Sequence, residues 1–148
     1  MNDKLLELIK KYEKPGDFLY SKVDDEVINR IERALEVKLP EQYADYIRMF
    51  GNGGIFGIEI FGVGQTGRLI VVDTNLVLRE DEFPENYVAF SGHEKYMDCI
   101  DCDTGHILYW DFEEFTVAYE CFDDYLLDCI NKAIDNTKNW NLRINKIE

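Results

Sequence analysis

Cationic residues are scarce in this chain. Sixteen lysines and arginines stand against thirty aspartates and glutamates, a formal charge of −14. A surface of that sign repels nucleic acid and anionic membranes, both of which are gripped through lysine and arginine. Direct contact with either is not expected. The charge instead suits a basic partner, whose encounter it would steer, or it serves only to keep the protein in solution. Long apolar runs are also missing. None approaches the ~18 residues that a membrane-spanning helix needs. The opening segment "NDKLLELIKKYEK" is amphipathic and too polar for the core of a secretory signal. The expected compartment is therefore the cytosol, where four cysteines read as reduced thiols. Histidine is limited to His93 and His106, and no local signature pairs either with a nucleophile. There is no repeat, low-complexity tract or linker, so residues 1–148 read as one domain.

What the chain has in quantity is apolar and aromatic surface. Hydrophobic residues make up 46% and aromatics 14%, too much for a disordered polymer. Leu5, Leu8, Ile9 and Tyr12 fall on one helical face that ends at Pro15-Gly16. Asp24 can cap a second helix whose buried face is Val27, Ile28, Ile31, Ala34 and Leu35. Pro40 suits the first position of a third, with Tyr43, Tyr46, Ile47 and Phe50 inward. Short strands then follow: "GIEIFGV" (57–63), "RLIVV" (68–72), "YVAFS" (87–91), "YMDCID" (96–101), "HILYWD" (106–111) and "FTVAY" (115–119). "DTNLVLRE" (73–80) can make two helical turns. A closing helix carries Phe122, Tyr125, Leu126, Cys129, Ile130, Ala133 and Ile134 in one stripe. Helices around a block of strands predict an α+β fold with a mainly antiparallel sheet.

Several motifs suggest chemistry and then fail on context. Gly62, Gly64 and Gly67 form a literal G-x-G-x-x-G, but a dinucleotide site needs a helix to open directly after it. The strand reading of "RLIVV" denies it that helix. Gly51, Gly53 and Gly54 follow the last apolar residue of the third helix, where the dipole is negative and repels phosphate. They read as a helix stop and a turn. Cys99 and Cys102 form a C-x-x-C, but three positions apart in a strand they face opposite sides, and it lacks further ligands at zinc spacing. "DCDTG" (101–105) fits a hairpin turn better than a calcium loop.

Read in order, these pieces resemble the SUKH superfamily of cell-wall-assembly-regulator-like and immunity proteins. The resemblance spans roughly Asp25 to Asn136. It rests on "IERALEVKLPEQYADYIRMFGNGG", with Leu39, Pro40, Glu41, Tyr43, Asn52, Gly53 and Gly54 matching. It continues through "YVAFSG" and "YMDCIDCDTGHILYWDFEE", with Asp101, Gly105, Tyr109, Trp110 and Asp111 matching. It closes on Phe122 and Leu126 of "CFDDYLLDCI". Many members carry more glycines where this chain has Gly92-His93-Glu94-Lys95, so the family does not imply the shape of that loop. The resemblance implies a central, mostly antiparallel sheet flanked by N-terminal helices and a C-terminal helix. No enzyme activity and no cofactor are expected, because blocking a toxin needs no catalysis and the sequence offers no catalytic constellation. Many bacterial members look like cytosolic immunity proteins that neutralise a toxin, often a nuclease; fungal relatives look like regulators of cell-wall assembly.

The first expectation is therefore an inhibitor that covers the basic active site of a cognate toxin with acidic surface. The alternative is a non-catalytic regulatory module that binds a host protein. A metal hydrolase built on the acidic clusters is the third reading, and it predicts tight uptake of divalent metal. For the inhibitor, candidate contact residues are Glu59, Asp81, Glu82, Glu94, Tyr96, Asp98, Asp111, Glu113 and Glu114. Alternation sets Glu59 beside Phe61 and Asp98 beside Tyr96, while Trp110, Tyr43, Tyr46 and the glycines read as core and turn residues.

Overall fold

The computed structural model describes the backbone of residues 1–147 and the side-chain surroundings through Leu142. Three helices come first: α1 (Asp3–Tyr12), α2 (Asp25–Leu35) and α3 (Glu41–Phe50). A single 3₁₀ turn at Ile55–Gly57 follows, then α4 (Ile70–Arg79). Four strands make an antiparallel meander in the order β1-β2-β3-β4: β1 (Tyr87–Gly92), β2 (Met97–Asp101), β3 (Ile107–Trp110) and β4 (Phe115–Tyr119). Helix α5 (Phe122–Ile147) closes the chain. The fold is α+β, as the order of apolar patterns predicts.

Local chemistry accounts for the helix boundaries. The Asn2 and Asp24 side chains accept the N–H groups of Lys4 and Val27, capping α1 and α2. Pro40 is the cap of α3 and not its first helical residue. At the other end Gly51 has φ +75, and the Asn52 N–H reaches the Phe50 carbonyl at 2.9 Å, a tight turn that stops the helix. Gly53 and Gly62 then let backbones cross. A Cβ on Gly53 would lie 2.1 Å from the Asp17 carbonyl oxygen, and one on Gly62 would lie 2.0 Å from that of Gly51. The Tyr46 and Tyr43 hydroxyls donate into this crossing, to Gly53 at 2.7 Å and Phe61 at 2.6 Å. The Asn-Gly-Gly run is thus a built corner, stitched by two buried tyrosines.

The main core lies between the helices and one face of the sheet. Ile28, Ile31 and Leu35 of α2, the expected face of α3, and Phe122, Tyr125, Leu126 and Ile130 of α5 meet Val88, Phe90, Ile100 and Ile107. Phe122 makes edge contacts with Tyr43, Tyr46 and Phe90. Ala34 is exposed, contrary to the expected face of α2. A smaller cluster of Phe83, Ala89, Met97 and Cys99 occupies the opposite sheet face.

Two predicted strands do not form. Residues 57–63 make only isolated bridges, Gly53 to Ile60 and Val63 to Leu69. Glycines at 57, 62 and 64 break the run before a ladder can start. "RLIVV" enters a helix at Ile70. Its β-branched residues favour a strand, but burial decides otherwise. Val71, Val72 and Asn75 turn inward at helical spacing, and the Val71 N–H donates to the Gly62 carbonyl at 3.1 Å.

A helix therefore does open after the G-x-G-x-x-G, contrary to the strand expected there. Its first two donors are nevertheless engaged. The Ile70 and Val71 N–H groups bond to Arg68 and Gly62, and Asp73 in the first turn pairs with Arg68 at 2.9 Å. Helix α5 also runs well past the predicted stripe, and its described residues beyond Ile134 are exposed.

Candidate partner-binding surface

The sheet register gathers most of the expected acidic residues at one end. Gly92 pairs with Met97, Met97 with Trp110, and Trp110 with Phe115, so these four lie in one row. The β1–β2 loop and the β3–β4 turn therefore project from the same end. The first carries Glu94 and Tyr96. The second carries Asp111, Glu113 and Glu114, all exposed. Glu59 joins them, because its carbonyl accepts the Ser91 hydroxyl at 2.7 Å at the end of β1. Asp81 and Glu82 arrive from the α4–β1 connection. They adjoin Phe83, which packs on Trp110 and Phe115 at 5.1 and 5.9 Å between ring centres.

Asp98 does not belong to this surface. Only 1% of it is exposed. It accepts a hydrogen bond from the Tyr125 hydroxyl and pairs with His93 Nε2 at 2.8 Å. Alternation did place it on a face with Tyr96, but that face is covered by α5. Burial and the neighbouring Asp98 push the Tyr125 hydroxyl far above its ordinary range, so it stays a donor. Tyr96 sits at the rim of the same network, stacked on His93 with ring centres 4.2 Å apart.

The opposite sheet face carries an aromatic surface that the sequence reading missed. Trp110 and Phe115 stack at 5.5 Å with an interplanar angle of 7°. Phe112 leans on Trp110 at 4.6 Å, and Tyr87 meets Phe115 at 5.0 Å. Phe112 is 52% exposed and Val117 60%. Trp110, expected in the core, is half-buried and forms one wall of this surface. The usable signal was hairpin register. Once Trp110 faces Phe115, the alternation of "FTVAY" puts Phe115 and Val117 on one side.

The β3–β4 turn is held rigidly. The Asp111 carboxylate accepts the N–H groups of Glu113 at 2.9 Å and Glu114 at 2.7 Å. Those bonds hold its pKa below the ordinary carboxylate value. Within the turn, Phe112 takes φ +74. Left-handed backbone costs a non-glycine residue about 1–2 kcal/mol, and a bulky side chain there is an outlier.

Cys99 faces the small cluster and Cys102 the main core, on opposite sides as the spacing implies. Burial pushes both up to about 12, and Cys129 up to about 11, so they remain protonated. Among the described residues, no three His, Cys, Asp or Glu side chains converge on a metal-sized site. A shallow cleft of about 730 Å³ runs between α2 and Glu85-Asn86, lined by charges of both signs including Glu32, Arg33 and Lys38.

Comparison with known proteins agrees with this architecture. The sequence profile of the family described as SUKH_5, SMI1-KNR4 cell-wall, matches residues 2–131. The chain belongs to the SUKH family. Among solved structures, this SUKH chain is similar to a crystal structure of a protein from Pseudomonas syringae pv. tomato. The TM-score is 0.61 at 14% identity, covering 78% of this chain and 89% of that one. At that identity the likeness is one of fold. No curated protein matches the chain. The family motif residues fall in the corner around Gly53, in the core and in the β2–β3 turn, and two of them, Trp110 and Asp111, belong to the aromatic and acidic surface.

Proposed function

We propose that this SUKH chain is an immunity protein. It is a cytosolic, non-catalytic inhibitor that covers the basic active site of a toxin, in the first instance a nuclease. The observation that carries the reading is the β3–β4 turn. There an exposed phenylalanine is held in a left-handed conformation among Asp111, Glu113 and Glu114. Glycine would be cheaper at that position. Strain kept on an exposed turn supports a role in recognition.

The chemistry suits such a partner. Aromatic rings that are already ordered give contact area at small entropic cost and are common anchors of interfaces. Carboxylates around them steer a basic surface into place. A nuclease cleft is basic because it must hold phosphate, so occlusion requires complementary charge and no catalytic group.

Co-expression with basic nuclease toxin domains, and with the product of the neighbouring gene, tests the proposal. The expected result is rescued growth and a stoichiometric complex whose affinity falls as salt rises. Neutralising Asp111, Glu113 and Glu114 together should slow association by about tenfold. Failure to protect against any such toxin, with capture of a host regulatory protein instead, would favour the regulatory module.

A further inference from the structure

The two outer edges of the sheet are treated differently. The β1 edge is closed. The Asn75 side chain of α4 acts as a substitute strand: its Oδ1 accepts the Ala89 N–H at 2.8 Å and its Nδ2 donates to the Ala89 carbonyl at 2.9 Å. One residue on, the Phe61 N–H donates to the Phe90 carbonyl at 2.7 Å.

The β4 edge has no such cover. The Asp111 N–H bonds to the Glu114 carbonyl at 3.3 Å, which makes that pair a hydrogen-bonded one. By the alternation of an antiparallel ladder, Tyr109 and Thr116 form the next such pair. The N–H and C=O groups of Phe115 and Val117 then point away from β3. Among the described residues no backbone or side-chain hydrogen bond reaches them from outside the sheet. Exposed edges are normally blunted by lysine, proline or a bulge. "FTVAY" has neither lysine nor proline, and its one bulge, at Ala118, leaves Phe115–Val117 regular.

We infer that the β4 edge receives an extended strand of the basic partner, which continues the sheet as a fifth strand. The inference rests on the inhibitor reading and specifies how the partner docks. Charge selects this occupant over a second copy of the chain. Whatever its register, a β4–β4 pairing would bring the Asp111, Glu113, Glu114 and Glu120 carboxylates of both copies to one shared edge, and like charges gathered so repel. A strand alternating apolar and basic residues would instead lay its apolar side chains beside Val117, Phe115 and Trp110. Its basic ones would lie within reach of Glu113, Glu114 and Glu120.

The test uses a cyclic hairpin peptide whose free arm alternates valine and lysine, with a valine–glutamate arm as control. Amide hydrogen exchange should slow at Phe115 and Val117 with the lysine peptide only. Val117→Pro removes one outward N–H and spares the β3 ladder; it should weaken binding by about tenfold or more. If that variant unfolds, Val117→Lys keeps the N–H and sets a cation against the peptide's valine face, with the same loss expected. Unchanged exchange at the two amides would overturn the inference, as would full binding by the folded variant. Self-association through Val117 with no peptide binding would assign the edge to a second copy and also overturn it. Toxin inhibition that survives Val117→Pro would remove the edge role and leave the inhibitor reading standing. Peptide docking on β4 without inhibition of any toxin would do the reverse.

Discussion

At Phe112 the proposed recognition role can be tested apart from stability. Relieving its left-handed backbone with Phe112→Gly should stabilise the chain by about 1 kcal/mol, measured by denaturant unfolding, while partner affinity falls. A destabilised Phe112→Gly would mean that the ring serves the fold. Asp98 behaves oppositely. Asp98→Ala leaves the buried Tyr125 hydroxyl without its acceptor, and should cost roughly 1–3 kcal/mol by the same measurement. Any effect of that variant on a partner would then report on folding. The sequence placed Asp98 on the correct strand face, yet alternation carries no information about what lies over a face. The glycines were legible for a different reason. A helix stop depends on local backbone geometry, which the order of residues encodes directly. Asp111 has a pH signature. Backbone N–H groups lower its pKa below 3.8 in the folded turn, so its contribution is present above that value and lost as pH falls through the lowered one. NMR titration should place its midpoint below 3.8.

At the scale of elements, the strands of the meander were readable because each alternates and is bounded by turn residues. Helix α4 was not. Four apolar residues, three of them β-branched, cannot distinguish a strand from a buried helical turn, and the residue that settles it is polar. Asn75 is fully buried and completes the backbone of β1, a role that only the tertiary structure assigns. Asn75→Leu keeps the bulk and removes both bonds to Ala89. It should cost roughly 2–5 kcal/mol, since two buried backbone groups lose their partners. Thermal unfolding checks this, and a near-neutral result would contradict the assigned role. The thiols give a second test. Cys99 and Cys102 titrate near 12 in the fold against an ordinary 9.0. Stability is therefore full below pH 9.0 and declines as pH rises toward about 12, because the unfolded chain loses these protons first. Denaturant midpoints measured across that range should fall.

For the whole molecule, the charge of −14 gains meaning from where the sheet register gathers acidic side chains. Composition suited a basic partner or plain solubility, and the family resemblance implied immunity or regulation. Neither located the surface, because the aromatic wall of Phe83, Tyr87, Trp110 and Phe115 is assembled from three separate stretches of chain. Register and coverage are collective properties, and hairpin pairing alone brings Trp110 to Phe115. The central claim is that this end of the sheet carries the partner. Amide hydrogen exchange of the chain with and without its bound toxin domain tests it most directly. The account predicts that protection rises across Trp110–Val117 and Phe83–Tyr87, leaving the outer faces of α1 and α2 unchanged. Protection confined to those helices, with the β3–β4 turn exchanging freely, would contradict it.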